Sequence, residues 1–68
     1  MRSSIRVNGK MEVLTAPTVA ELLQARGIEQ ARGVAVALNG VVVPAGGWGR
    51  ARLAAGDEVE IVRPFGGG

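Results

Sequence analysis

Gly66-Gly67-Gly68 stand two residues behind a strand-like run, Glu58-Val59-Glu60-Ile61-Val62-Arg63. Glycine has no Cβ and adopts backbone angles closed to other residues, so a glycine segment is the thinnest peptide a chain can present. A frayed end needs no particular residue. An end that threads a narrow channel and offers its own carboxylate to a reagent needs the smallest one. On this reading the α-carboxylate of Gly68 is the reactive group, Gly67 keeps its approach open, and Gly66 lengthens the reach. Pro64 to Gly68, fully extended, span roughly 17 Å, about the depth of an enzyme pocket.

Holding three glycines in one conformation costs on the order of 3–6 kcal/mol of backbone entropy, so such a tail needs help from the body of the domain. Ala35, Ala37, Val42 and Val62 fall at outward strand positions, where an exposed sheet ordinarily carries Thr, Lys or Glu. They are the candidate docking residues, together with Phe65, the chain's single phenylalanine, at the root of the tail. The residues leave two plainer readings open: small exposed apolar side chains without a role, and a Phe65 folded back on its own core.

Composition excludes most other chemistry. The 68 residues include no Cys and no His, which removes disulfides, thiol nucleophiles, the commonest general base and most zinc sites. No catalytic residue, metal ligand or bound cofactor is assigned. The sequence pI of 10.5 overstates the basicity, because the formal net charge is only +2 and seven of the eight basic residues are late-titrating arginines. Arg2, Arg6, Arg50, Arg52 and Arg63 are scattered without interleaved aromatics, so no nucleic-acid partner is expected. Asp57, Glu58 and Glu60 read as a solvated strand face, and Gly46-Gly47-Trp48-Gly49 matches no phosphate-binding fingerprint. Val34-Ala35-Val36-Ala37-Leu38 is too short to span a bilayer, and Met1 to Arg6 lack a signal-peptide core. A soluble, cytoplasmic protein without membrane contact is expected.

The elements that must hold the tail follow from periodicity. Ile5-Arg6-Val7 and Met11-Glu12-Val13 alternate apolar and polar around Asn8-Gly9, a hairpin signal. A two-residue loop there would set Val7 against Lys10 and Ile5 against Glu12. A three-residue loop, Asn8-Gly9-Lys10, sets Val7 against Met11 and Ile5 against Val13 and leaves one face uniformly apolar, so this register is expected. Thr18-Val19-Ala20-Glu21 has the form of a capping box, and Val19, Leu22 and Leu23 share one stripe of a helix that Gly27 ends, with Ile28 as the contact beyond. It spans two to three turns. Val36 and Leu38 then face Val43 and Val41 across an Asn39-Gly40 turn, with Ala35, Ala37 and Val42 outside. Pro44 ends that strand, Trp48 turns toward Leu53 as a cover for the core, and a last strand points Val59 and Ile61 inward.

One helix can cover one face of such a sheet. The pattern predicts an α+β domain over residues 1–63, a mixed four- to five-stranded sheet under one helix, and a flexible tail over 64–68. It allows either a ubiquitin-type roll, with the last strand lying parallel to the first at the centre, or a split α+β sandwich.

Asn39-Gly40-Val41-Val42-Val43-Pro44, then Trp48, then Leu53-Ala54-Ala55-Gly56-Asp57-Glu58-Val59-Glu60-Ile61-Val62-Arg63-Pro64, ending in Gly67-Gly68, resemble the ThiS family of thiamine-biosynthesis sulfur carriers. The resemblance covers most of the chain, and it is the order of the pieces that is specific. It implies a β-grasp (ubiquitin-like) fold and a thiocarboxylate carried on Gly68. It also implies three partners: an E1-like, ThiF-like adenylyltransferase that uses ATP and Mg, a sulfur donor acting through a cysteine persulfide, and a ThiG-like thiazole synthase that accepts the sulfur. Gly66 departs from the family pattern, which needs two terminal glycines, and Gly46-Gly47 replace larger residues between the Val-Pro and the Trp. The small subunit of molybdopterin synthase, and a ubiquitin-like modifier or binding domain that carries no sulfur, are the alternatives.

Overall fold

The computed structural model describes residues 3–63. Five strands and one helix follow in the order β1 (Ser4–Val7), β2 (Lys10–Val13), α1 (Val19–Ala25), β3 (Ala35–Leu38), β4 (Val41–Val43) and β5 (Glu58–Val62), with a short 3₁₀ turn at Ala45–Gly47. They form a single sheet of order β2-β1-β5-β3-β4. β5 is central. It pairs parallel with β1 and antiparallel with β3, so the last strand joins the two hairpins into one surface and the split sandwich is excluded.

α1 begins where its sequence says it should. Thr18 Oγ1 accepts a hydrogen bond from the Glu21 amide at 3.2 Å, which satisfies one of the free donors of the first turn. The reciprocal bond, from the Thr18 amide to the Glu21 carboxylate, is absent among the described residues. The helix closes in a Schellman motif: Gly27, at φ 78°, donates to the Gln24 carbonyl and Ile28 donates to that of Leu23. Ile28 is thereby drawn into the core with Val19, Leu22, Leu23, Ile5, Val7, Val36, Val59, Ile61, Leu53 and Trp48. Trp48 is 9% exposed and donates its Nε1–H to the Val43 carbonyl at 2.9 Å, so it seals the β4 end of the core.

The second hairpin has the expected register, Leu38 against Val41 and Val36 against Val43. The first does not. Ile5 faces Glu12 and Val7 faces Lys10, the arrangement of a two-residue loop. Asn8 and Gly9 take φ values of 51° and 83°, both positive, as a type I′ turn requires, and the twist of that turn matches the twist of its strands. The expected three-residue loop required one uniformly apolar face across both strands. β2 is an edge strand, and its helix-side residues are not sealed: Lys10 is exposed and the half-buried Glu12 forms an ion pair with Arg26 at the end of α1. With charge tolerated there, the turn sets the register, and Met11 (69% exposed) and Val13 point to the outer face.

Candidate functional site

The side of the sheet away from α1 is the surface on which the predicted docking residues meet. In β5 the side chains of Glu58, Glu60 and Val62 alternate outward from the buried Val59 and Ile61. The ladder sets Ala35 beside Val62 and Ala37 beside Glu60, while Ala37 lies against Val42 on the other flank. Four residues chosen for their outward periodicity therefore share one patch. Val42 and Val62 stand 69% and 63% exposed, and between them the two alanines form the floor of a shallow depression of about 190 Å³, with Glu60 on its rim. The depression exists because alanine ends at Cβ while the cross-strand neighbours Val42, Glu60 and Val62 carry longer side chains. Phe65, Gly66, Gly67 and Gly68 lie outside the described residues, which stop at Arg63, directly beyond β5.

Charge around this face is structural in one place and free in others. Asp57 holds a turn together: its Oδ1 accepts from Asn39 Nδ2 at 3.0 Å and its Oδ2 from the Ala54 amide at 2.8 Å. Glu58, Glu60, Arg6 and Arg63 are exposed. Among the described residues no three His, Cys, Asp or Glu side chains gather as a metal site. No helix there is long and apolar enough to cross a membrane.

One residue at this site escaped sequence reasoning. Asn8 reads as a turn former, yet its side chain brackets Ile61 of β5, accepting from the Ile61 amide at 2.7 Å and donating to the Ile61 carbonyl at 3.2 Å. The Asn-Gly pair was visible. Its reach to a residue 53 positions away appears only once β1 and β5 lie side by side.

A sheet whose first and last strands pair in parallel at its centre, with one helix across one face, defines a ubiquitin-like β-grasp domain, here with its C-terminal segment following the central strand. The model of the ThiS family matches residues 4–68, and the chain belongs to that family, among the sulfur carriers of thiamine biosynthesis. Two solved structures from Geobacter metallireducens are similar to it. The crystal structure of a thiamine biosynthesis protein (ThiS) shares 38% identity over 96% of this chain and 99% of its own, with a TM-score of 0.74. The solution structure of a thiamine biosynthesis protein shares 35% identity over 96% of this chain and 87% of its own, with a TM-score of 0.77. Among curated proteins there is no significant match. The partners of such a carrier are enzymes of the thiamine pathway.

Proposed function

We propose that the chain carries sulfur as a thiocarboxylate on Gly68 and delivers it to a thiazole synthase. The observation behind this reading is the family match, which runs through residue 68 and so includes Gly67-Gly68. The chemistry explains why a partner is needed. A carboxylate is a poor electrophile, so an E1-like adenylyltransferase with ATP and Mg first makes a Gly68 acyl-adenylate and releases pyrophosphate. The terminal sulfur of a cysteine persulfide then displaces AMP, and a second thiol cleaves the S–S bond, is itself oxidised to a disulfide, and frees the thiocarboxylate. That group remains ionised at neutral pH and is a soft nucleophile toward the thiazole precursor. The carrier contributes the handle, its partners the catalysis, and the cytoplasm, where ATP is plentiful, is the compartment proposed.

Ala35, Ala37, Val42 and Val62 are proposed to seat the domain on the adenylyltransferase, with Phe65 anchoring the tail root, while Gly67 and Gly66 pass through the channel. Intact-mass measurement after incubation with the adenylyltransferase, ATP and a persulfide donor tests the reading. An oxygen-to-sulfur mass increase confined to the C-terminal peptide is expected, and an isopeptide conjugate in its place would sink it. Deleting Gly67 and Gly68 together, since loss of Gly68 alone would leave Gly66-Gly67 as a terminal pair, is expected to abolish the mass change and to leave the thermal melt of the domain unaltered.

A further inference from the structure

We propose that Asn8 is a positioning residue for activation of the tail: its carboxamide holds the end of β5, the strand from which the C-terminal segment continues in sequence. The inference rests on the reading of Gly68 given above.

Within β5, the amide and carbonyl of Ile61 point toward β1, whereas Val62 pairs with Ala35 on the opposite flank. β1 does not continue far enough to meet them. Its ladder with β5 runs through Arg6 against Glu58 and Val7 against Val59, the Asn8 amide donates to the Val59 carbonyl at 2.9 Å, and the chain then swings away at the positive φ of Asn8. Both polar groups of Ile61 would be left without a backbone partner. A carboxamide carries the donor and the acceptor of a peptide group in one plane, and Asn8 presents them at 3.2 and 2.7 Å, closing a ring with Ile61. The side chain thus extends the ladder by one residue after the backbone has left.

Two bonds to one residue fix orientation as well as distance. Ile61 is held from the β1 flank and Val62 from the β3 flank, and Arg63 and then Pro64 to Gly68 follow in sequence. A tail that starts from a fixed point and heading reaches a reactive geometry more often than one whose last strand residues fray with it.

The second Asn-Gly turn supplies a matched control. Asn39 has the same φ, and its Oδ1 accepts from the Glu58 amide at 2.9 Å, so it clasps β5 at the end remote from the tail. Asn8→Gly and Asn39→Gly each keep a residue that tolerates positive φ and each remove a clasp. Carrier-dependent adenylation kinetics, measured below the melting temperature of both variants, separate positioning from a general loss of stability. For Asn8→Gly we expect kcat to fall about three- to tenfold with KM within about twofold, because orientation and not docking is impaired. Hydrogen exchange at the Ile61 amide should quicken while that at Val59 does not. Asn39→Gly should leave kcat within about twofold of the parent. Should the glycine variant fail to fold, Asn8→Asp, which keeps the acceptor and loses the donor, takes its place. Equal kcat losses in the two variants, a change in KM alone, or unaltered Ile61 exchange would overturn the proposal. A parent chain that accepts no adenylate overturns the reading of Gly68, and this inference with it.

Discussion

The two hairpins carry the same turn, Asn8-Gly9 and Asn39-Gly40, with the same φ values of 51° and 83°, yet they differ in what lies on either side of it. In the second, a two-residue loop pairs valine and leucine with valine on the inner face, and local patterning and turn geometry agree. In the first they conflict, and the turn prevails: Ile5 and Val7 face Glu12 and Lys10. The mismatch is tolerable because β2 lies at the sheet edge, where Lys10 reaches solvent and Glu12 reaches Arg26. Uniform apolar patterning dictates register where a strand is sealed, and yields to turn chemistry where it is not.

Val59 joins the two regions, lying beside Val7 of one hairpin and Leu38 of the other with no exposed surface. Val59→Ala should therefore loosen both at once, costing roughly 2 kcal/mol or more, visible as a lower midpoint in chemical unfolding. If hydrogen exchange quickened in only one hairpin, the idea that β5 couples them would be broken. Gly9→Ala and Gly40→Ala compare the turns themselves. A Cβ at either position meets no atom within 4 Å, so the penalty is that of a left-handed backbone alone. About 1–2 kcal/mol is expected at each, and thermal melts that differed widely between them would show that one turn is not type I′ in solution.

The outer strands are fastened differently, and two variants measure that difference. Trp48→Phe keeps a ring but removes the indole bond to the Val43 carbonyl, and should cost about 1 kcal/mol. Arg26→Ala removes an ion pair at the β2 edge whose side chains are 34% and 36% exposed, and about 0.5 kcal/mol or less is expected. The reverse ranking in denaturant titrations would contradict the view that β4 is locked and β2 only tethered. The smallest effect is the most direct test of register. Met11→Lys should change stability by no more than about 0.5 kcal/mol, because Met11 faces solvent; burial under α1, as the three-residue loop would place it, predicts a loss of several-fold more.

Much of this molecule is legible in its residues. Thr18 and Gly27 mark the ends of α1 through hydrogen bonds made within a few positions, and Asn39-Gly40 specifies its own hairpin. Period-two alternation was enough to place Ala35, Ala37, Val42 and Val62 on one outward face, because a strand leaves side chains only two directions. The shallow depression among them was not legible, since it depends on which strands become neighbours across β5. The chemistry proposed for Gly68 follows from residue type and family.

Sequence by itself determined the helix caps, the Asn39-Gly40 turn and the inward and outward sets of every strand but β2. These are all decided by contacts between residues close in the chain. The tertiary structure alone decided that β5 enters the sheet between the hairpins, that Glu12 can face inward at an edge, and that Asn8 holds Ile61. Each of those depends on groups brought together by burial of a shared core. Whether a charge or an amide at a given position is satisfied is settled only by the neighbours that folding supplies.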